Sequence, residues 1–99
     1  MSGSAGRVLL VEDTPTQAEV ARSHLRDLGH EIRTVETAAE ALAQARAWDP
    51  DAILLDLELP DFSGLDVLKT LRAEGSETAV IVITANASMN TAVEVMRAG

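Results

Sequence analysis

Three acidic residues follow two apolar runs of the chain at the point where each run ends. Glu12 and Asp13 come directly after residues 8–11, and Asp56 comes directly after residues 52–55. If the two runs are neighbouring parallel strands, about 4.8 Å apart, the carboxylates meet at one edge of the sheet. Like charges this close raise one another's pKa unless a cation neutralises them. Oxygen ligands of this kind suit Mg²⁺, which is commonly held together with phosphate oxygens.

Such a site favours phosphoryl chemistry. An aspartate can attack a phosphoryl group and form an aspartyl phosphate. We predict that Asp56 is the nucleophile because it ends the more central strand, whereas Glu12 and Asp13 are adjacent and share the ion. Thr84 follows the next apolar run and offers a hydroxyl to a phosphoryl oxygen on Asp56.

Short apolar runs alternate with helical patterns along the chain, which is typical of βαβ units and a parallel sheet. The predicted strands are residues 8–11, 32–35, 52–55 and 79–83. The first, third and fourth are continuously apolar, which favours interior strands, whereas the second mixes polar and apolar residues and suits the rim. Right-handed crossovers then give the strand order 2-1-3-4 and a crevice between strands one and three, beyond their carboxyl ends.

Four helices are predicted from apolar residues that recur every three or four positions. The four stripes are Ala18, Ala21, Leu25 and Leu28; Ala38, Ala41, Leu42 and Ala45; Leu65, Leu68 and Leu71; and Met89, Ala92, Val93 and Met96. Pro15 starts the first helix and Gly29 ends it. Thr37 and Glu40 form a capping box for the second helix, and Gly75 closes the third.

Composition limits the possible functions. The 99 residues are 46% hydrophobic and carry a net charge of −8, which indicates one small domain over residues 7–99 after a tag or disordered arm, residues 1–6. The acidic excess disfavours direct binding to nucleic acid or anionic membranes. The longest apolar runs fall far short of the roughly 20 residues of a membrane span. No cysteine and no leader pattern are present, so we expect a cytoplasmic location.

These motifs together resemble the receiver domains of two-component response regulators. The matching stretches are residues 8–13, residues 54–61 with Gly64, and residues 83–85. Residues 11–14, 59–61 and 91–99 look most similar to receivers of LuxO-type and NtrC-type transcription activators. The resemblance implies a flavodoxin-like, doubly wound α/β fold in a signalling module that is not an enzyme. It also implies a histidine kinase or histidine phosphotransfer protein as partner.

The resemblance implies a role for each residue of the site. Asp56 would be the phosphoacceptor and Asp13 a direct Mg²⁺ ligand. Glu12 would act through a water, and the backbone carbonyl of Glu58 would complete the protein ligands. Thr84 would be the switch residue that turns toward the phosphoryl group.

The sequence also departs from the family. It ends before the fifth strand, which carries a Lys-Pro pair, and before the fifth helix, and its only lysine is Lys69 on the predicted third helix. Strand four would then be an open sheet edge with unpaired backbone groups. We therefore expect a homo-oligomer that forms through this edge.

Several alternatives remain. The missing lysine favours a pseudo-receiver, a protein-interaction module that works without phosphorylation. An aspartate-nucleophile phosphatase would use Glu58 as its second acid, but no cap domain is present. Asp13 could serve only as a helix N-cap. The remaining polar and aromatic residues have ordinary interpretations. Asp61 and Asp66 are solvated or capping acids near the start of helix three, His24 and His30 are at the surface or partly buried, and Trp48 contributes to packing.

Overall fold

The computed structural model describes residues 6–56, 59, 61 and 64–83. Seven elements alternate along them: β1 (Arg7–Val11), α1 (Pro15–Asp27), β2 (Glu31–Val35), α2 (Ala38–Trp48), β3 (Ala52–Asp56), α3 (Gly64–Ala73) and β4 (Ala79–Ile83). Each predicted strand is found to within one residue at either end. The predicted fourth helix, Thr84 and Glu58 lie outside the described residues, as do residues 1–5.

The four strands form one parallel sheet in the order β2-β1-β3-β4, which confirms the predicted fold class. In the register of this sheet Val11 lies beside Val35 of β2 and beside Leu55 of β3. The residues that follow β1 therefore emerge next to the end of β3. This is the crevice that the strand order predicts.

The main core lies between one face of the sheet and the helices α2 and α3. Its members are mainly large apolar residues of β1, β3 and α3 together with alanines and the tryptophan of α2. They include Leu9, Val11, Ile53, Leu55, Ala38, Ala41, Trp48, Val67, Leu68 and Leu71. Leu10 points to the opposite face, where it lies beside Gln17, Val20 and Ala21 of α1. Helices thus cover both faces, as expected for a doubly wound fold.

The buried stripe of α1 is shorter than predicted. Ala18 is buried, but Leu28 is 72% exposed, so its assignment to the stripe was wrong. The physical reason is that α1 ends before Leu28. Its last helical residue is Asp27, Leu28 is the C-cap, and Gly29 follows with a φ of 88°. A chain that has left the helix no longer keeps the 3.6-residue period that would return Leu28 to the core.

β4 differs from the other two apolar strands. Its continuous apolar sequence predicts an interior strand, yet it is the edge strand of the described sheet. Ile81 is 54% exposed there. Within the described ranges, none of the helices combines the length and apolar character needed to span a bilayer.

Candidate functional site

The structure brings Glu12, Asp13 and Asp56 together at the carboxyl end of the sheet. One carboxylate oxygen from each lies within 4.8 Å of the others. Glu12 and Asp13 follow β1, and Asp56 is the last residue of the neighbouring strand β3. Glu12 is buried, Asp56 is partly buried and Asp13 is exposed. The three carboxylates therefore border the core at Glu12 and are open to solvent at Asp13.

Glu12 is held from both its backbone and its side chain. Its N–H donates to the Val35 carbonyl (3.0 Å), and its Oε1 accepts the Thr14 N–H (3.1 Å). Burial is the largest cause that raises the pKa of Glu12, and the hydrogen bond from Thr14 opposes it. The charge of Asp56, a hydrogen bond with Asp56 and the charge of Asp13 raise this pKa further. The ionised form of Glu12 is thus less favourable in the folded protein than in water.

Asp13 is not the N-cap of α1. The N-cap is Thr14, which has an extended backbone and, within the described residues, no capping hydrogen bond from its side chain. The interpretation of Asp13 as a helix cap alone is therefore wrong. Its carboxylate belongs instead to the acidic group.

The three side chains fit a hard divalent cation. All the donor atoms are carboxylate oxygens, which Mg²⁺ prefers, and the open side near Asp13 leaves space for the waters that Mg²⁺ usually keeps. A cation would also offset the like charge that raises the pKa of Glu12. The two other predicted site groups, the Glu58 carbonyl and the Thr84 hydroxyl, lie outside the described residues.

Asp61 has a role that sequence reasoning missed. The prediction placed it near the start of α3, as a solvated or capping acid. Instead its Oδ1 accepts the Ala38 N–H (2.8 Å) and its Oδ2 accepts the Ala39 N–H (3.1 Å), both at the start of α2. The N-cap residue of α2, Thr37, accepts the Glu40 N–H as predicted. Asp61 is thus a second, distant cap of the same helix.

The remaining polar candidates lie away from the acidic group. His24 is exposed on α1, and His30 is partly buried before β2, as predicted. Asp66 is exposed in the first turn of α3, and Lys69 is exposed on the same helix. Trp48 is buried in the core, which confirms its packing role.

Comparison with known proteins gives a consistent result. Residues 8–99 match the response regulator receiver domain family. The regulatory protein LuxO of Vibrio vulnificus is 44% identical over 90 residues, which are 91% of this chain and 20% of that protein. The cell cycle transcriptional regulator CtrA of Caulobacter vibrioides is 36% identical over 93 residues, 94% of this chain and 40% of the relative. The chain thus spans about a fifth of the LuxO protein that it matches.

Solved structures agree with the fold. The signal receiver domain of a LuxO repressor protein from Vibrio parahaemolyticus superposes with a TM-score of 0.91 at 38% identity, covering 97% of this chain and 74% of that one. The chemotaxis protein CheY4 of Vibrio cholerae gives a TM-score of 0.90 at 26% identity, with coverage of 97% and 82%. The predicted flavodoxin-like arrangement is confirmed.

Proposed function

Because this chain belongs to the response regulator receiver domain family, we propose that it accepts a phosphoryl group on Asp56 from a phosphohistidine donor. The donor is a histidine kinase or a histidine phosphotransfer protein. The observation that carries the proposal is that one carboxylate oxygen from each of Glu12, Asp13 and Asp56 lies within 4.8 Å of the other two. The domain then acts as the phosphorylated input of a transcription regulator, as a signalling module and not as an enzyme.

The proposed transfer is a displacement at phosphorus. One carboxylate oxygen of Asp56 attacks, an O–P bond forms, and the P–N bond to the donor histidine breaks. The leaving imidazole keeps the electron pair of that bond and takes up a proton. Thr84 donates a hydrogen bond to the new phosphoryl group.

The residues proposed to hold Mg²⁺ are Asp13 and Asp56 directly, Glu12 through a water, and Glu58 through its backbone carbonyl. When bound, Mg²⁺ supplies positive charge to the carboxylates and to the phosphoryl oxygens. The protein keeps Glu12 in place through its hydrogen bonds with Val35 and Thr14. Asp56 ends β3 and is paired with Ile83 of β4, so the sheet holds its backbone in place before the reaction.

Intact-mass measurement with a small-molecule phosphodonor and Mg²⁺ tests the proposal. The wild type should gain the mass of one phosphoryl group, and Asp56→Asn should not. Asp66→Asn is the matched control because Asp66 is an exposed aspartate on α3, and it should be phosphorylated like the wild type. A wild type that stays unmodified, or an equal gain in Asp56→Asn, contradicts the proposal.

A second candidate function is a pseudo-receiver that binds a partner without phosphorylation. Binding of beryllium fluoride in the presence of Mg²⁺ separates the two candidates. Binding that is lost in Asp56→Asn supports the phosphoacceptor, and no binding by the wild type supports the pseudo-receiver.

We further propose that the protein forms a homo-oligomer through the edge of β4. This strand is the edge of the described sheet, and Ile81 is 54% exposed on it. Edge strands with exposed apolar residues favour association between chains. Size-exclusion chromatography with light scattering should show an oligomer that Ile81→Lys weakens. A stable wild-type monomer would contradict this proposal.

A further inference from the structure

The segment that links Asp56 to α3 is held at two described residues. Leu59 packs against the main core. Asp61 accepts two hydrogen bonds from α2, at 2.8 Å from Ala38 N and 3.1 Å from Ala39 N. A carboxylate at a helix N-terminus satisfies backbone donors that lack partners in the helix, and its charge is favourable there. Leu59 is therefore fixed to the core, and Asp61 is fixed to the start of α2.

The start of α2 is also tied to the other side of the acidic group. The Glu12 N–H donates to the Val35 carbonyl at 3.0 Å. Val35 is the last residue of β2, and α2 begins three residues later, at Ala38. The start of α2 therefore follows, three residues along the chain, the residue whose carbonyl accepts the Glu12 N–H.

We infer that Asp61 is a positioning residue for the metal site. Its own carboxylate is not a member of the acidic group found within the described residues, so it would act through the chain between Asp56 and itself. The inference rests on the proposed function, in which Asp56 and the Glu58 carbonyl of that segment are Mg²⁺ ligands. Mg²⁺ requires nearly ideal octahedral geometry, so a displaced segment weakens its binding.

The test compares two ways to remove a cap from α2. Asp61→Ala removes the cap that comes from the segment after Asp56. Thr37→Val removes the cap that the N-cap side chain provides. Both variants lose helix-capping hydrogen bonds and should unfold at a lower temperature. Only Asp61→Ala should weaken Mg²⁺ binding, by roughly tenfold, which is the usual effect of removing an outer partner of a metal site.

Isothermal titration calorimetry with MgCl₂ measures the affinity, and thermal unfolding by circular dichroism measures stability. Asp61→Asn serves if Asp61→Ala does not fold, because it keeps one acceptor oxygen and should weaken Mg²⁺ binding to a smaller extent. Equal Mg²⁺ affinity in the wild type and the Asp61 variants, or equal weakening in Thr37→Val, overturns the inference. In either case the wild type still binds Mg²⁺ and the proposed function stands. A wild type without Mg²⁺ binding refutes the magnesium site itself, and the inference with it.

Discussion

The two ends of β1 use charge in opposite ways. At the amino end, the Arg7 N–H donates to the Asp51 carboxylate (2.8 Å), and the Arg7 guanidinium donates to the Trp48 carbonyl (2.9 Å). The same guanidinium lies over the Trp48 ring, 5.8 Å from its centroid. At the carboxyl end, Glu12 lies with two further carboxylates. At the amino end each of these charged groups has a hydrogen-bonding partner in the fold, whereas the carboxyl end collects like charges.

The amino end of β1 thus contributes to stability, whereas the carboxyl end carries the candidate functional site. The hydrogen bonds of Arg7 satisfy donors and acceptors within the fold, so the amino end contributes to stability by itself. At the carboxyl end, burial and neighbouring acids raise the pKa of Glu12, so ionising that residue costs stability. A bound cation would offset the cost. Groups with perturbed pKa values are typical of functional sites.

The largest effect should come from Trp48 at the amino end. Trp48→Ala should lower the free energy of unfolding by about 3 to 5 kcal/mol, because it removes a large buried ring from the core. Urea unfolding followed by circular dichroism measures the loss, since Trp48 is the only tryptophan.

The Mg²⁺ affinity of folded Trp48→Ala should stay close to that of the wild type. Trp48→Phe is the control, because it keeps an aromatic ring in the core and should lose less stability. If Trp48→Ala binds Mg²⁺ much more weakly at a temperature where it is folded, the two ends are not independent, and the comparison fails.

A change at the carboxyl end should have the opposite sign. Without metal, Glu12→Gln should raise the free energy of unfolding by roughly 1 kcal/mol, a typical size for a single substitution. The variant removes the buried charge but keeps the oxygen that accepts the Thr14 N–H. With Mg²⁺ at 100 times its Kd the wild type should gain about 2.7 kcal/mol, and the variant should gain less.

Glu31→Gln is the matched control for charge, because Glu31 is exposed on β2. It should leave both the metal-free stability and the gain with Mg²⁺ close to the wild-type values. If metal-free Glu12→Gln is less stable than the metal-free wild type, the charge of Glu12 does not destabilise the fold, and the comparison of the two ends fails.

The raised pKa of Glu12 also predicts a pH effect. When the folded pKa is above the unfolded one, the unfolded chain loses its proton first as pH rises. The free energy of unfolding therefore decreases as the pH rises from the ordinary pKa of glutamate to the raised pKa of Glu12. Glu19 and Glu74 have lowered pKa values, through Arg22 and Arg46 respectively, and act in the opposite direction.

The useful quantity is the difference in unfolding free energy between Glu12→Gln and the metal-free wild type, measured at several pH values. This difference should increase with pH through that window, because only the wild type carries the ionisable group. A difference that does not change with pH would show that the Glu12 pKa is not raised in solution.

The acidic group could be predicted from the sequence because the prediction needs only the order of the strands and not the conformation of any loop or side chain. Carboxyl ends of parallel strands share one edge of a sheet, so acids after two adjacent strands must be close, whatever their side-chain angles. The Asp61 caps could not be predicted in the same way. They join Asp61 to Ala38 and Ala39, 23 and 22 residues away, and depend on the path of a loop. Leu28 was misplaced because the helix ends one residue earlier.

The smallest effect should come from Arg33, which lies over the same Trp48 ring at 4.6 Å from its centroid. Arg33→Gln should cost about 0.5 to 1 kcal/mol, because Arg33 is exposed and water screens its charge. The Arg33 guanidinium also donates to Gln44 Oε1 (2.8 Å), so Gln44→Ala is needed to measure that hydrogen bond separately. Urea unfolding measures all three proteins, and Mg²⁺ affinity should not change in either variant. If Gln44→Ala costs as much as Arg33→Gln, the hydrogen bond carries the stabilisation and the ring contact contributes nothing measurable.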